Sequence, residues 1–327
     1  MSLVAEPSQP VQSGPQPRAS SRTDTVFELV KPARWGHLSY RLQVFLLLLP
    51  YLVGLGGLVA LPALLSIPFA FTDYDAISPP VWVGLNNFRE MFADRLFWNG
   101  VAVSLFFIAL AVPLRVAGAL LLAYLLHRPT IANRIHRVLV YLPTIMPDVA
   151  YALLWLYIFN PLYGPINWIL PLFGVREEAW LIEPWPARFA LVIMLLWPIG
   201  EGFILMMASL QDIPHELYEC AQVDGAGGWQ RFWQITLPLL TPTMLLLLFR
   251  DTVLSFQTTF VPTVVTMGGG KPHYATLVLP VYIWQNATEY QNYGYAAAMV
   301  WFMYAVTVAV IVLQFLVVRW WRREFHE

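Results

Sequence analysis

Residues 211–238 read QDIPHELYECAQVDGAGGWQRFWQITLP, a polar, acidic segment between two long apolar runs. It carries Asp212, Glu216, Glu219 and Asp224 against the single cation Arg231. It far exceeds the roughly two to eight residues that join antiparallel helices. Pro214 suits the first turn of a helix, where its missing N–H costs nothing. Residues 215–223 are expected to form a short helix ending before Gly225, a residue able to take the left-handed conformation that turns a chain. A second helix, 228–236, is expected to stop before Pro238. The segment reads as a helix–turn–helix outside the apolar layer, and its charge suits a basic partner surface. A solvated hairpin is the plain alternative.

Working outward, the flanks set the fold class. The 327 residues are 58% hydrophobic and only 12% Asp, Glu, Lys and Arg, about half the charge of a soluble domain, so lipid is the solvent for most of the chain. From Leu42 to Thr72 there is no charged side chain, and about 20 apolar residues suffice to cross a bilayer. Six spans are expected, near 42–67, 99–126, 138–159, 187–210, 239–262 and 295–318. Each must be helical, because a lone strand would leave its backbone unpaired in lipid. The class is therefore all-α and integral to the membrane, with a domain over 41–327 and a Pro/Ser/Gln-rich tail over 1–40 that lacks an apolar period. The tail does not read as a signal peptide. Basic residues gather in the tail, in the loop with Arg128, Arg134 and Arg137, and at Arg319, Arg322 and Arg323, which places both termini in the cytoplasm. Net charge is −1, so nothing points to nucleic acid. Cys220 stands alone, which excludes an intrachain disulfide.

The central segment also carries a spacing. Glu219-Cys220-Ala221 is followed, after three residues, by Gly225, and after nine more by Ile235-Thr236-Leu237-Pro238. This resembles the E-A-A, three residues, G, nine residues, I-x-L-P loop of ABC-importer permeases, with Cys220 in place of the middle alanine. Two further stretches, Val83-Gly84-Leu85-Asn86-Asn87-Phe88 and Gly164-Pro165-Ile166-Asn167, are similar to elements of the sugar branch of that family, which includes maltose and glycerol-phosphate permeases. The resemblance implies that Glu219, Cys220, Ala221, Asp224, Gly225 and Ala226 form a coupling helix seated in a dimer of ATP-binding subunits. It further implies a homologous second permease, an external solute-binding protein, a bacterial or archaeal cytoplasmic membrane and a carbohydrate cargo, with glycerol phosphate as the alternative. Catalysis would lie in the ATP-binding subunits, with no cofactor in this chain.

Ionisable residues inside a span face protein or water. Arg250 and Asp251 fall mid-way along the fifth span. As neighbours on a helix they are expected to need separate partners. Asp251, Ser255 and Thr258 share one face, flanked by Gln257. Glu201 lies between Gly200 and Gly202 just after Pro198, a break of the kind that lines cavities in other transporters. These six polar residues are candidates for a sugar path, and packing against the second permease is the competing reading. Arg115 reads as structural or snorkelling. Trp155, Trp197 and Trp301 could stack on a sugar ring, although core and interface packing account for most membrane tryptophans.

Gly268-Gly269-Gly270-Lys271 fails as a phosphate loop, because Val265 stands at the first glycine and Pro272 where Ser or Thr is required. Asn286-Ala287-Thr288 is a formal glycosylation sequon. The histidines fall in tails, loops and span ends, which argues against a metal site. An ion-coupled secondary transporter using Asp251 and Glu201 is the rival of another class. An integral membrane enzyme lacks a catalytic cluster.

Overall fold

The computed structural model describes residues 39–174, 176, 178–258 and 260–325. The expected tail lies almost wholly outside the described residues. The chain divides into two units, 1–62 and 63–327. The first contains most of α1 (Tyr40–Phe69), a 30-residue helix whose apolar window has no buried residue.

In the second unit a two-stranded antiparallel ribbon, β1 (Thr72–Asp73) and β2 (Val81–Trp82), pairs Thr72 with Trp82. Helices α2 (Asn86–Ala93) and α3 (Arg95–Leu126) follow. Asp94 caps α3 by accepting from the Leu96 N–H at 2.8 Å. At the far end the Arg137 guanidinium donates to the Leu126 carbonyl at 2.7 and 3.0 Å and to that of His127 at 3.0 Å, satisfying carbonyls that a helix end leaves open. Arg137 thus has a structural task besides its charge.

The expected third span is not one straight helix. It starts early, at α4 (Ile131–Tyr141), runs through a 3-10 turn (Leu142–Ile145), and bends by 105° into α5 (Asp148–Ile158). Pro147 supplies the reason, since the residue before a proline is pushed out of the helical region; Met146 is extended at φ −74°, ψ 136°. After the short α6 (Pro165–Ile169), the expected fourth span falls on α7 (Pro184–Leu196) and α8 (Gly200–Gln211), a pair bent by 46°. Helix α9 (His215–Val223) lies between spans. The expected stop before Pro238 does not occur. Helix α10 (Gly228–Arg231), a π turn (Phe232–Thr236) and α11 (Leu237–Thr258) follow without a gap, and Gly228–Phe256 forms one 29-residue apolar helix. The wider π turn admits Pro238, one residue into α11, where its missing N–H is tolerated. Helices α12 (Phe260–Met267), α13 (Leu279–Trp284) and α14 (Tyr293–Phe325) complete the fold. Among the described residues four helices are long and apolar enough to span by themselves, and six spans result if each bent pair is one.

Among the described residues three buried clusters hold the second unit. One gathers Phe97, Phe107, Trp155, Phe159, Met194 and Leu279. A second gathers Val116, Leu120, Phe203, Met206, Leu240 and Leu247, and a third joins Ile108, Val112 and Phe256.

Candidate functional site

Helix α9 matches its expected bounds, 215–223, with Pro214 one position earlier than expected, at the N-cap. Its C-terminus explains the motif spacing. Gly225 is left-handed at φ +79°. The Ala226 N–H donates to the Ala221 carbonyl at 2.8 Å and the Gly225 N–H to that of Gln222 at 3.0 Å. These are the paired bonds of a Schellman motif, with glycine at the position a side chain would strain. The next helix opens with the Gln230 side-chain oxygen accepting from the Gly227 N–H at 2.9 Å, half of a capping box. Tyr218 and Thr236 share a hydroxyl hydrogen bond of 2.9 Å, which pins α9 to the π turn.

The turn directs residues outward selectively. Glu219, Cys220, Asp224 and Gly225 are exposed, whereas Ala221 and Ala226 are half-buried. Val223 is 89% exposed and Leu217 42%. Pattern reading passed over the exposure of these two apolar side chains on a short polar helix. Its signal was present: Glu216, Glu219, Cys220 and Val223 recur at helical spacing.

The charged residues of the spans converge. Arg115 from α3, Glu201 from α8, and Arg250 and Asp251 from α11 form a chain of ion pairs. Arg115 Nε lies 3.7 Å from Asp251 Oδ2, and Arg250 Nη1 lies 3.7 Å from Asp251 Oδ1. Arg250 Nη2 meets Glu201 Oε2 directly. Arg250 and Asp251 therefore do interact, contrary to expectation, because a long guanidinium folds back over its neighbour. Arg115 is no snorkelling residue, since it also donates to the Pro198 carbonyl at 3.2 Å. That carbonyl lies at the α7–α8 break, so Arg115 stabilises the kink. Exposure rises along the chain, from 5% and 11% for the Asp251 and Arg115 side chains to 27% for Arg250 and 49% for Glu201. The outer pair faces accessible space and the inner pair is core.

Of the remaining candidates, the Ser255 hydroxyl donates to the Asp251 carbonyl at 2.6 Å. The side chains of Gln257 and Thr258 lie outside the described residues. Gly200 and Gly202 serve packing: a Cβ on Gly200 would meet the Tyr141 backbone at 2.8 Å, and one on Gly202 would touch Ala119 and Leu247. Trp155 is buried, stacked on Phe159 and edge-on to Trp197, and Trp301 donates to the Ser66 hydroxyl at 3.1 Å.

The two other family-like stretches are structural knots. Asn87 donates to the Ala70 and Thr72 carbonyls at 3.0 and 2.9 Å. Asn167 donates to the Pro161 and Glu178 carbonyls and accepts from the Trp180 indole at 2.9 Å. Gly268, Gly269 and Gly270 all have positive φ in a turn after α12, not in a strand-to-helix phosphate loop. Asn286 is 5% exposed and donates to the Tyr282 carbonyl, so the sequon is closed. Among the described residues no His, Cys, Asp and Glu cluster could hold a metal ion.

Residues 115–323 match the family described as binding-protein-dependent transport system inner membrane component. The chain is 34% identical over 275 residues to a probable ABC transporter permease protein, YesP, of Bacillus subtilis, covering 83% of this chain and 89% of that protein. It is 31% identical over 295 residues to the sulfoquinovosyl glycerol transport system permease protein SmoG of Agrobacterium fabrum, covering 89% and 95%. A bacterial ABC transporter involved in import of the acidic polysaccharide alginate has the same fold, with a TM-score of 0.72 and 22% identity over 90% of this chain and 98% of that one. The chain belongs to the family of inner membrane components of binding-protein-dependent transport systems, the permease subunits of ABC transporters.

Proposed function

We propose that this chain is one of two permease subunits of an ATP-driven carbohydrate importer, with residues 211–238 as the cytoplasmic element that a separate ATPase moves. The observation that carries the reading is the rigid turn of α9. Its Schellman closure and the Tyr218–Thr236 bond tie a short, exposed, acidic helix to the base of α11. A push on α9 is transmitted along a continuous helix to Arg250 and Asp251, where three spans meet. The arginines at 128, 134 and 137 support a cytoplasmic side for residues 211–238 and, with an even number of spans, for both termini. An external solute-binding protein delivers the sugar, a second permease completes the path, and ATP is hydrolysed in a dimer of other chains.

The charged chain favours carbohydrate over glycerol phosphate. Arg250 is engaged by Glu201 and Asp251, and Arg115 by Asp251. Two guanidinium groups meet two carboxylates, so this cluster offers no uncompensated cation to a phosphate. The relative named for sulfoquinovosyl glycerol transport supports a sugar-based cargo.

The test is uptake and ATP hydrolysis by the assembled transporter. Glu219→Lys and Gly225→Pro should each abolish sugar-dependent stimulation of ATPase activity and reduce uptake at least tenfold. Normal uptake by both variants rejects the coupling role. Uptake that needs no ATPase and collapses with an uncoupler in ATP-replete vesicles would favour an ion-coupled carrier.

A further inference from the structure

Two cavities of opposite character meet at Phe232. The first, about 700 Å³, lies between α9, the start of α10 and the loop after α3. Its charged and titratable lining is Arg128, Arg231, His127, His215 and one carboxylate, Glu219. Arg231 has a buried Nε without a hydrogen-bond partner among the described residues. The second, about 610 Å³, runs along α3 and α11 between Val116, Leu120, Leu121, Leu125, Met244 and Leu248. Tyr124, Gly228 and Phe232 line both. Trp229, 73% exposed, also lines the apolar cavity and stacks on Phe232 at 6.1 Å. Exposed tryptophan of this kind marks the depth of a membrane interface.

We propose that the two cavities are one site for an anionic phospholipid, its phosphate held by Arg128 and Arg231 and one acyl chain laid along the apolar groove. Charge complementarity argues for this occupant, since two guanidinium groups face a single carboxylate, and basic pockets between spans select anionic headgroups. The groove continues the polar compartment at the level of Trp229, which a wholly soluble ligand would not use. The inference rests on the reading of residues 211–238 as lying at the cytoplasmic surface. Because α9 forms a wall of the polar compartment, a bound lipid braces the element proposed to carry the stroke.

The test uses the assembled transporter in nanodiscs of phosphatidylglycerol or phosphatidylcholine, with retained lipid read by native mass spectrometry. Wild type should retain phosphatidylglycerol in preference to phosphatidylcholine. The double variant Arg128→Gln/Arg231→Gln should lower that retention about 30-fold, roughly fivefold per arginine, whereas Arg128→Lys/Arg231→Lys should keep most of it. Leu121→Trp, which fills the groove, should also release the lipid. Equal retention of the two lipids, or retention unchanged in both the glutamine and tryptophan variants, overturns the proposal. Displacement of phosphatidylglycerol by millimolar glycerol 3-phosphate or inorganic phosphate overturns it in favour of a soluble phosphate. Gly225→Pro, at a residue that lines neither cavity, separates the two readings: lost coupling in a transporter that shows no lipid preference leaves coupling standing alone, and normal uptake with lipid preference leaves the lipid site alone.

Discussion

Replacing Arg115 by Met keeps most of the side chain's length and removes its charge. In the native protein its guanidinium lies 3.7 Å from Asp251 and 3.2 Å from the Pro198 carbonyl, with both side chains about nine-tenths buried. At that separation the Coulomb attraction is about 4 kcal/mol for an effective dielectric near 20. The pair is ionic but not hydrogen-bonded, so part of that gain is offset by burying both charges. Arg115→Met leaves Asp251 with only Arg250, itself 3.7 Å away, and leaves a freed carbonyl at a helix break. Losing one partner of a buried pair costs roughly 3–5 kcal/mol, and the less than ideal contact sets the expectation at the lower end, about 3 kcal/mol. Asp251→Asn should cost a similar amount. The double variant Arg115→Met/Asp251→Asn removes both charges and should be less destabilised than the sum by about 2 kcal/mol, within the range for groups in direct contact. The assay is a double-mutant cycle on reversible denaturant unfolding of the purified transporter in mixed micelles. Additivity within about 0.5 kcal/mol would refute the pairing, since non-interacting sites behave in that way.

The outer pair should behave differently, because Glu201 is half-exposed and screened. Glu201→Gln should cost under about 1 kcal/mol of stability and change uptake less than fivefold, while Glu201→Lys sets two cations together and should lower uptake at least tenfold in the same vesicle assay. Asn167→Ala strips the Trp180 indole and the Glu178 backbone of their shared partner, so a loss of about 1–3 kcal/mol is expected, visible as a lower Tm with sugar-stimulated ATPase activity per folded molecule unchanged. An unaltered Tm would mean that solvent replaces those bonds.

Legibility divided along a physical line. The α9 boundaries and the left-handed Gly225 were readable because both are local: a helix of nine residues, its polar period and its glycine stop lie within one stretch of chain. The continuous helix through Pro238 was not readable. Proline ordinarily ends or kinks a helix, yet here the chain runs through a π turn over Phe232–Thr236 into α11 without a gap. The break within the third apolar run was not readable for a related reason, since hydropathy averages over a window and does not register the 105° turn beside Pro147. Val223 was overlooked because one valine in an acidic helix weighs little in any composition, whereas its 89% exposure is visible only once the helix is placed.

What the sequence determined by itself was solvent and local geometry. Long runs without charge require helices in lipid, and the spacing from Glu219 to Gly225 requires a helix closed by a left-handed residue. Tertiary structure alone decided which charges meet. Arg115 and the Pro198 carbonyl are 83 residues apart, and no period along the chain relates them to Asp251 or to Glu201. Such partners are fixed by how α3, α8 and α11 pack, where Gly202 lies against Ala119 and Leu247 and the bend between α7 and α8 exposes a carbonyl that a guanidinium can satisfy.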